Sequence, residues 1–281
     1  MSLGIVVKGP EGLVLAAESR VTLTATHQQG PPIHVSFDNA TKLLSFGKPN
    51  NNFGVVTYGL AAIGLRTAYS FLPEFEANLG KKNDSNNPLS VYDFATEISS
   101  FFMKQWQEGG MPKPEDYKPP NPNMTFVVGG FNKGEPYGRV YVIDIPRNPT
   151  PLEQQPNPGD FGITWGGQRE FVDRIVKGYD EKILQIVSKT LNLKPEQIQL
   201  LKDVLDKELQ MALPLQILPL QDCVKLAIFF IRTTMTAQEL TVGVRGVGGP
   251  IDVATITRNE GLKFIQRKEI IGEIGMTTTT Y

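Results

Sequence analysis

The sequence has one cysteine, two histidines and almost no net charge, and each shortage removes a class of function. Cys223 stands alone among 281 residues, so no intramolecular disulfide can form and no cysteine-rich zinc site can be built. His27 and His34 are too few for a histidine-rich metal cage. The 28 basic and 29 acidic side chains leave a formal charge of −1, which gives no footing for nucleic acid or an anionic membrane surface. No apolar run approaches the roughly 20 residues of a membrane span. The N-terminus lacks the leading charge and long apolar core of a signal peptide. A cytoplasmic protein is therefore expected, with no membrane or nucleic-acid partner and no cofactor. What is present is ordinary globular material, 40% hydrophobic and 20% charged.

The chain opens on apolar runs. Leu3–Val7 and Leu13–Ala17 flank the turn Gly9-Pro10-Glu11-Gly12 and read as a β-hairpin. Neither run alternates cleanly, as expected of strands covered on both faces. Residues 26–36 read as a loop rich in Gln, Gly and Pro that holds both histidines. Lys42–Phe46 and Phe53–Tyr58 are further short strands. Helical periodicity appears near 60–80, with Pro73 inside it, and near 90–108, with Ser90 as N-cap and Asp93 three residues on. The stretch 109–123 holds five prolines and reads as a loop. Met124–Gly130 and Arg139–Ile145 read as strands and 146–160 as a loop. Helices are expected near 168–190, 195–212 and 219–238, and closing strands at Val242–Arg245, Ile251–Thr257 and Leu262–Gln266.

Blocks of strands and helices indicate an α+β fold, not a doubly wound parallel sheet. No linker divides the chain, so residues 1–281 are expected to form one domain. The segment 193–216 carries one apolar stripe, Ile198, Leu201, Leu205 and Leu209, and reads as an extra helical appendage. The tail from 272 to 281, ending in four threonines and Tyr281, is expected to fray.

Several features with chemical potential reduce to structure. Gly246-Val247-Gly248-Gly249 lacks the Lys-Ser/Thr that a phosphate loop needs and reads as a tight turn. No serine sits in a nucleophile elbow that His27 or His34 would serve. Cys223 lies among Leu220, Val224 and Ala227 as a packing thiol. Trp106 and Trp165 read as core or rim residues.

The start of the chain is different. Ser2 is small, so loss of the initiator Met is expected to expose its α-amine, whose ordinary pKa is about 8. That amine can take the proton of its own hydroxyl, as in nucleophiles paired with an N-terminal amine. The hairpin returns Glu18 toward the Ser2 end, and Lys42 opens a later strand. A lysine beside the nucleophile would lower the pKa of hydroxyl and amine, and a carboxylate would keep that lysine charged and oriented. An ordinary ion pair between Lys42 and Glu18 is the plainer alternative.

The run from Ser2 to Thr22 resembles the N-terminus of proteasome-type subunits of the N-terminal-nucleophile hydrolase superfamily, including bacterial proteasome-related proteins. Further similar segments follow in order: Thr41-Lys42-Leu43; Thr57-Tyr58-Gly59-Leu60-Ala61-Ala62; Val127–Asn132 with Gly138–Asp144; and Gly248–Thr257 with Gly261–Phe264. The resemblance implies a four-layer αββα sandwich and ring-forming homo-oligomers that act on peptides or proteins. It implies Ser2 as nucleophile, Glu18 and Lys42 as the supporting acid and lysine, and Gly59 N–H as an oxyanion donor. The step of sixteen residues from Ser2 to Glu18 matches the family spacing. Setting Gly4 on the family's early glycine would instead slide the strand by two residues, about 6.6 Å. Serine stands where the family has threonine. The family's supporting Asp and hydroxyls are missing from Val242–Gly249 and from the turn Thr164–Gln168. Three functions follow from the resemblance: a peptidase, a non-catalytic ring-forming scaffold, and an amidase of a small molecule.

Overall fold

Residues 2–25, 33–80 and 88–270 are described by a computed structural model. Leu3–Lys8 (β1) and Leu13–Glu18 (β2) fold back on each other, with Gly4 opposite Ala17 and Gly9 N–H donating to Gly12 C=O at 3.0 Å. Every residue of both strands is buried, which is why neither shows an apolar–polar alternation. Val21–Ala25 (β3) and Ile33–Phe37 (β4) then form a separate ribbon, Val21 opposite Phe37. This corrects the loop expected over 26–36. Ile33, Val35 and Phe37 alternate with His34 and Ser36 in a two-residue period, which the preceding Pro31-Pro32 obscured. Residues 26–32, with His27, lie outside the described residues.

Leu43–Ser45 (β5) and Phe53–Gly59 (β6) are joined by a turn in which Asn50 N–H donates to Gly47 C=O at 2.8 Å. The helix expected from residue 60 does not begin there. Ala62–Ile63 (β7) and Arg66–Thr67 (β8) make a small ribbon, a 3₁₀ turn covers Tyr69–Phe71, and the α-helix is Leu72–Gly80 (α1). Pro73 sits in the first turn, where a missing N–H breaks no intrahelical bond, so it starts the helix and does not kink it. Val91–Glu108 (α2) starts as expected: Asp93 N–H donates to Ser90 Oγ at 3.1 Å, and the Asp93 carboxylate accepts from Ser90 N–H.

Met124–Gly130 (β9) and Arg139–Ile145 (β10) are followed by Asn148–Gln154 (β11) and Gly162–Gly167 (β12). β11 replaces an expected loop. It lies at a sheet edge, where Pro149 and Pro151 need no ladder donor on their open side. The helix expected over 168–190 is two, Glu170–Val176 (α3) and Lys182–Leu191 (α4). They part at Gly178, and Asp180 Oδ1 accepts from Lys182 N–H at 2.9 Å. Pro195–Leu209 (α5) and Leu220–Glu239 (α6) follow, then Ile251–Thr257 (β13) and Gly261–Gln266 (β14). The strand expected at Val242–Arg245 is an exposed irregular segment, because β2 and β14 already occupy both edges of β13.

Two five-stranded sheets result, ordered β12-β1-β2-β13-β14 and β11-β10-β9-β6-β5, and every pairing is antiparallel. With six α-helices among the described residues, the fold is mixed α/β. Val6, Leu13 and Ala254 of one sheet share a buried cluster with Val56, Val127 and Val140 of the other. On the second sheet, α1 and α2 bury an aromatic core in which Phe53 stacks on Phe94 at 4.3 Å. On the first, Val172 of α3 and Phe230 of α6 pack against Leu3, Ile5 and Val14. Trp106 and Cys223 are buried, and burial pushes the Cys223 thiol up to about 11. Phe71, Phe94, Phe101 and Phe102 are interior, and Tyr69 is exposed. No helix of the described residues is long and apolar enough to cross a membrane.

Candidate active site

The two sheets present strand ends to one place. Ser2 precedes β1 and Glu18 ends β2 of the first sheet; Lys42 precedes β5 and Gly59 ends β6 of the second. A cavity of about 310 Å³ opens there, and Ser2, Lys42, Thr57 and Gly59 all line it. Ser2 is the residue that the start of β1 contributes to that wall. Glu18 stands behind Lys42 and is almost fully buried, at 1% exposure.

The Glu18 carboxylate is saturated with donors. Oε1 accepts from Leu3 N–H at 3.2 Å and from the Lys42 ammonium; Oε2 accepts from Arg20 N–H at 2.7 Å and Gly248 N–H at 3.1 Å. Lys42 also donates to Arg20 C=O. Its position is thus fixed by two acceptors. Arg20 is itself fixed, its guanidinium forked onto Asp38 at 2.6 and 2.8 Å. Burial pushes the Glu18 carboxyl above the usual carboxylate range, opposed by Lys42 and by the Gly248 and Arg20 N–H groups. Burial likewise pushes the Lys42 ammonium down, opposed by Glu18, while Lys268 and Arg20 add to the lowering. The lysine is a desolvated cation whose charge rests on one carboxylate.

Ser2 is positioned through its backbone. Its C=O accepts from Gln168 N–H at 2.7 Å. That approach requires Gly167, which has φ of +91°, and whose Cβ, were there one, would lie 1.9 Å from Ser2 O. Gln168 Oε1 accepts from Gln238 Nε2 at 2.6 Å, and Gln238 Oε1 accepts from Val247 N–H at 3.0 Å. The N-terminal strand is therefore held from helix α6. Gly167, Gln168 and Gln238 went unrecognised in the sequence. The first two lie in a segment noticed for lacking hydroxyls; Gln238 has no local signal, because its partner is 70 residues away. Gly59, which also lines the cavity, is required by its backbone. Its φ is +88°, and a Cβ would lie 2.1 Å from Asn123 O, so no other residue fits there without moving β9's lead-in.

Chemically, the cavity is lined by a hydroxyl residue, a buried cation and glycine backbone. Among the described residues no group of three His, Cys, Asp or Glu side chains is placed to hold a metal ion.

No family model and no curated protein matches the sequence. Solved structures do. The Anbu (Gly-1) mutant from Hyphomicrobium sp. strain MC1 is similar at a TM-score of 0.56 and 16% identity, over 95% of this chain and 86% of that one. Anbu (ancestral beta-subunit) from Yersinia bercovieri and the Anbu complex from Pseudomonas aeruginosa each give 0.54 and 16%, over 95% of this chain and 88% of theirs. The assignment to proteasome-type subunits is corrected by these findings: the neighbours are Anbu proteins, proteasome-like but a distinct family. At 16% identity the likeness is one of fold.

Proposed function

We infer that the chain is an N-terminal-nucleophile amide hydrolase acting on peptides, with Ser2 as nucleophile. One observation carries this: Lys42, held by Glu18 and the Arg20 carbonyl, borders the same cavity as Ser2. Removal of Met1 frees the Ser2 amine. That amine takes the Oγ proton, directly or through water, as Oγ attacks the carbonyl carbon. The Lys42 charge favours the alkoxide and keeps the amine unprotonated near neutral pH. Gly59 N–H donates to the oxyanion. The amine returns the proton to the leaving nitrogen as the C–N bond breaks, and water then hydrolyses the ester on Ser2. The expected measurement is an intact mass without Met1, together with one covalent adduct from a serine-reactive probe. A retained Met1 would sink this reading.

A non-catalytic scaffold is the second reading, motivated by the missing Asp and hydroxyls of Val242–Gly249 and Thr164–Gln168. For either function the two facing sheets and their outer helices support a four-layer αββα arrangement within a single domain. The α4–α5 segment contributes no buried residue and is read as an appendage. The Anbu complex from Pseudomonas aeruginosa forms a helical assembly, and we extend self-assembly to this chain. Light scattering on the full chain, and on a chain lacking residues 193–216, should give species larger than 31.1 kDa in the first case and cooperative unfolding in both. A 31.1 kDa species alone at micromolar concentrations would refute assembly.

A further inference from the structure

The cavity has a wall that the catalytic residues do not explain. At the last residue of β14 and again just beyond it, the chain is tied back to the sheet. Gln266 Nε2 donates to Ile251 C=O at 2.7 Å, and Lys268 N–H donates to Asp252 Oδ1 at 2.8 Å. The Lys268 ammonium pairs with the same carboxylate, and Asp252 is buried at 3% exposure. Two residues further on, Ile270 lines the cavity that Ser2 and Lys42 share. Its side chain is fully exposed, at 105%, and Tyr69 on the same lining is 46% exposed. Large apolar groups left open at the mouth of a cavity gain from being covered. Among the described residues Lys42 is the only charged side chain on the lining, and it is already paired to Glu18. A charged group entering the cavity would meet no built counter-charge, whereas an apolar group would meet Val21, Ala40, Leu60, Tyr69 and Ile270.

We propose that Ile270, delivered by the Lys268–Asp252 anchor, is a specificity-determining residue, and that the site selects amides whose acyl side carries a bulky apolar side chain. This rests on the amide-hydrolase reading. The segment after the last strand acts as one side of the substrate pocket, and the occupant desolvates Ile270 and Tyr69 together. Cleavage places the apolar side chain on the acyl portion held as the Ser2 ester, while the amine leaves toward open solvent.

The test compares the wild-type chain with Ile270→Ala and Ile270→Asp. Fluorogenic peptidyl amides with Leu, Phe, Lys or Asp before the scissile bond are the substrates. Fluorescent tripeptides of the same four kinds serve as binding probes by anisotropy, and these need no turnover. The wild-type chain should favour Leu and Phe in both assays. Ile270→Ala should weaken binding and raise KM for the Leu and Phe compounds roughly tenfold, with kcat little changed. Ile270→Asp should shift preference toward Lys. The melting temperature should not move, because the side chain is exposed. Unchanged preference in both assays overturns the proposal. Apolar-selective binding that depends on Ile270, with no hydrolysis of any substrate, would uphold the pocket and refute the hydrolase.

Discussion

Lys42→Met is expected to destabilise the chain by about 3–5 kcal/mol at pH 8. The substitution keeps the stem's bulk and removes the charge. Glu18, at 1% exposure, is then a buried carboxylate without its cation. The N–H groups of Leu3, Arg20 and Gly248 remain, but backbone dipoles do not replace a full charge. The pH dependence has a definite sign. Burial already raises the Glu18 carboxyl, and Lys42 is the largest influence against that rise, so its removal raises the native carboxyl further. The native variant then binds a proton that the unfolded chain, titrating near the ordinary carboxylate value, has released. Its deficit is smallest below the unfolded carboxyl pKa and grows as the pH rises through the native one. Urea unfolding from pH 4 to 8 measures this. Adding Glu18→Gln to Lys42→Met should recover much of the loss at pH 8, because the buried charge is gone. A Lys42→Met chain within about 0.5 kcal/mol of wild type at pH 8 would show that the pair carries no structural weight.

The network that makes this pair matter was only half legible in the sequence. Glu18 could be placed near the start of β1 because two strands of equal length joined by a tight turn must return there. Lys42 could be placed only through resemblance, since nothing local says that β5 of one sheet faces β2 of the other. The three backbone donors to Glu18 were invisible, because Gly248 lies 230 residues away and offers only an N–H. The same distinction runs through the fold. Ser90 with Asp93 marked the start of α2, and the turn residues marked the first hairpin, because caps and turns are written locally. Prolines misled twice. Pro149 and Pro151 argued for a loop where an edge strand tolerates them, and Pro31-Pro32 hid the alternation that marks β4. The aromatic residues of α2 carry no local sign of which way they face. Their use inside depends on the depth of the layer beneath, where Phe46, Phe53 and Phe126 supply matching rings.

Ser2→Ala is expected to abolish amide hydrolysis, by at least about a thousandfold, while leaving stability within about 1 kcal/mol of wild type. The two effects separate because the fold grips Ser2 by its carbonyl. Gln168 N–H donates to that oxygen, and Gly167 grants the approach; alanine retains both. What alanine removes is Oγ, the atom proposed to attack. Lys42→Met, by contrast, strikes stability and chemistry together, so it cannot alone distinguish a catalytic lysine from a structural one. The informative comparison is Ser2→Ala against Ser2→Thr. Threonine keeps the hydroxyl and the free amine, and should retain measurable turnover and labelling by a serine-reactive probe. Melting curves on both variants, with intact masses that verify loss of Met1, complete the experiment. If Ser2→Ala hydrolyses peptidyl amides at the wild-type rate, Ser2 is not the nucleophile. If the wild-type chain with a free Ser2 amine neither turns over nor takes the probe, the buried Lys42–Glu18 pair is holding two sheets together in a scaffold.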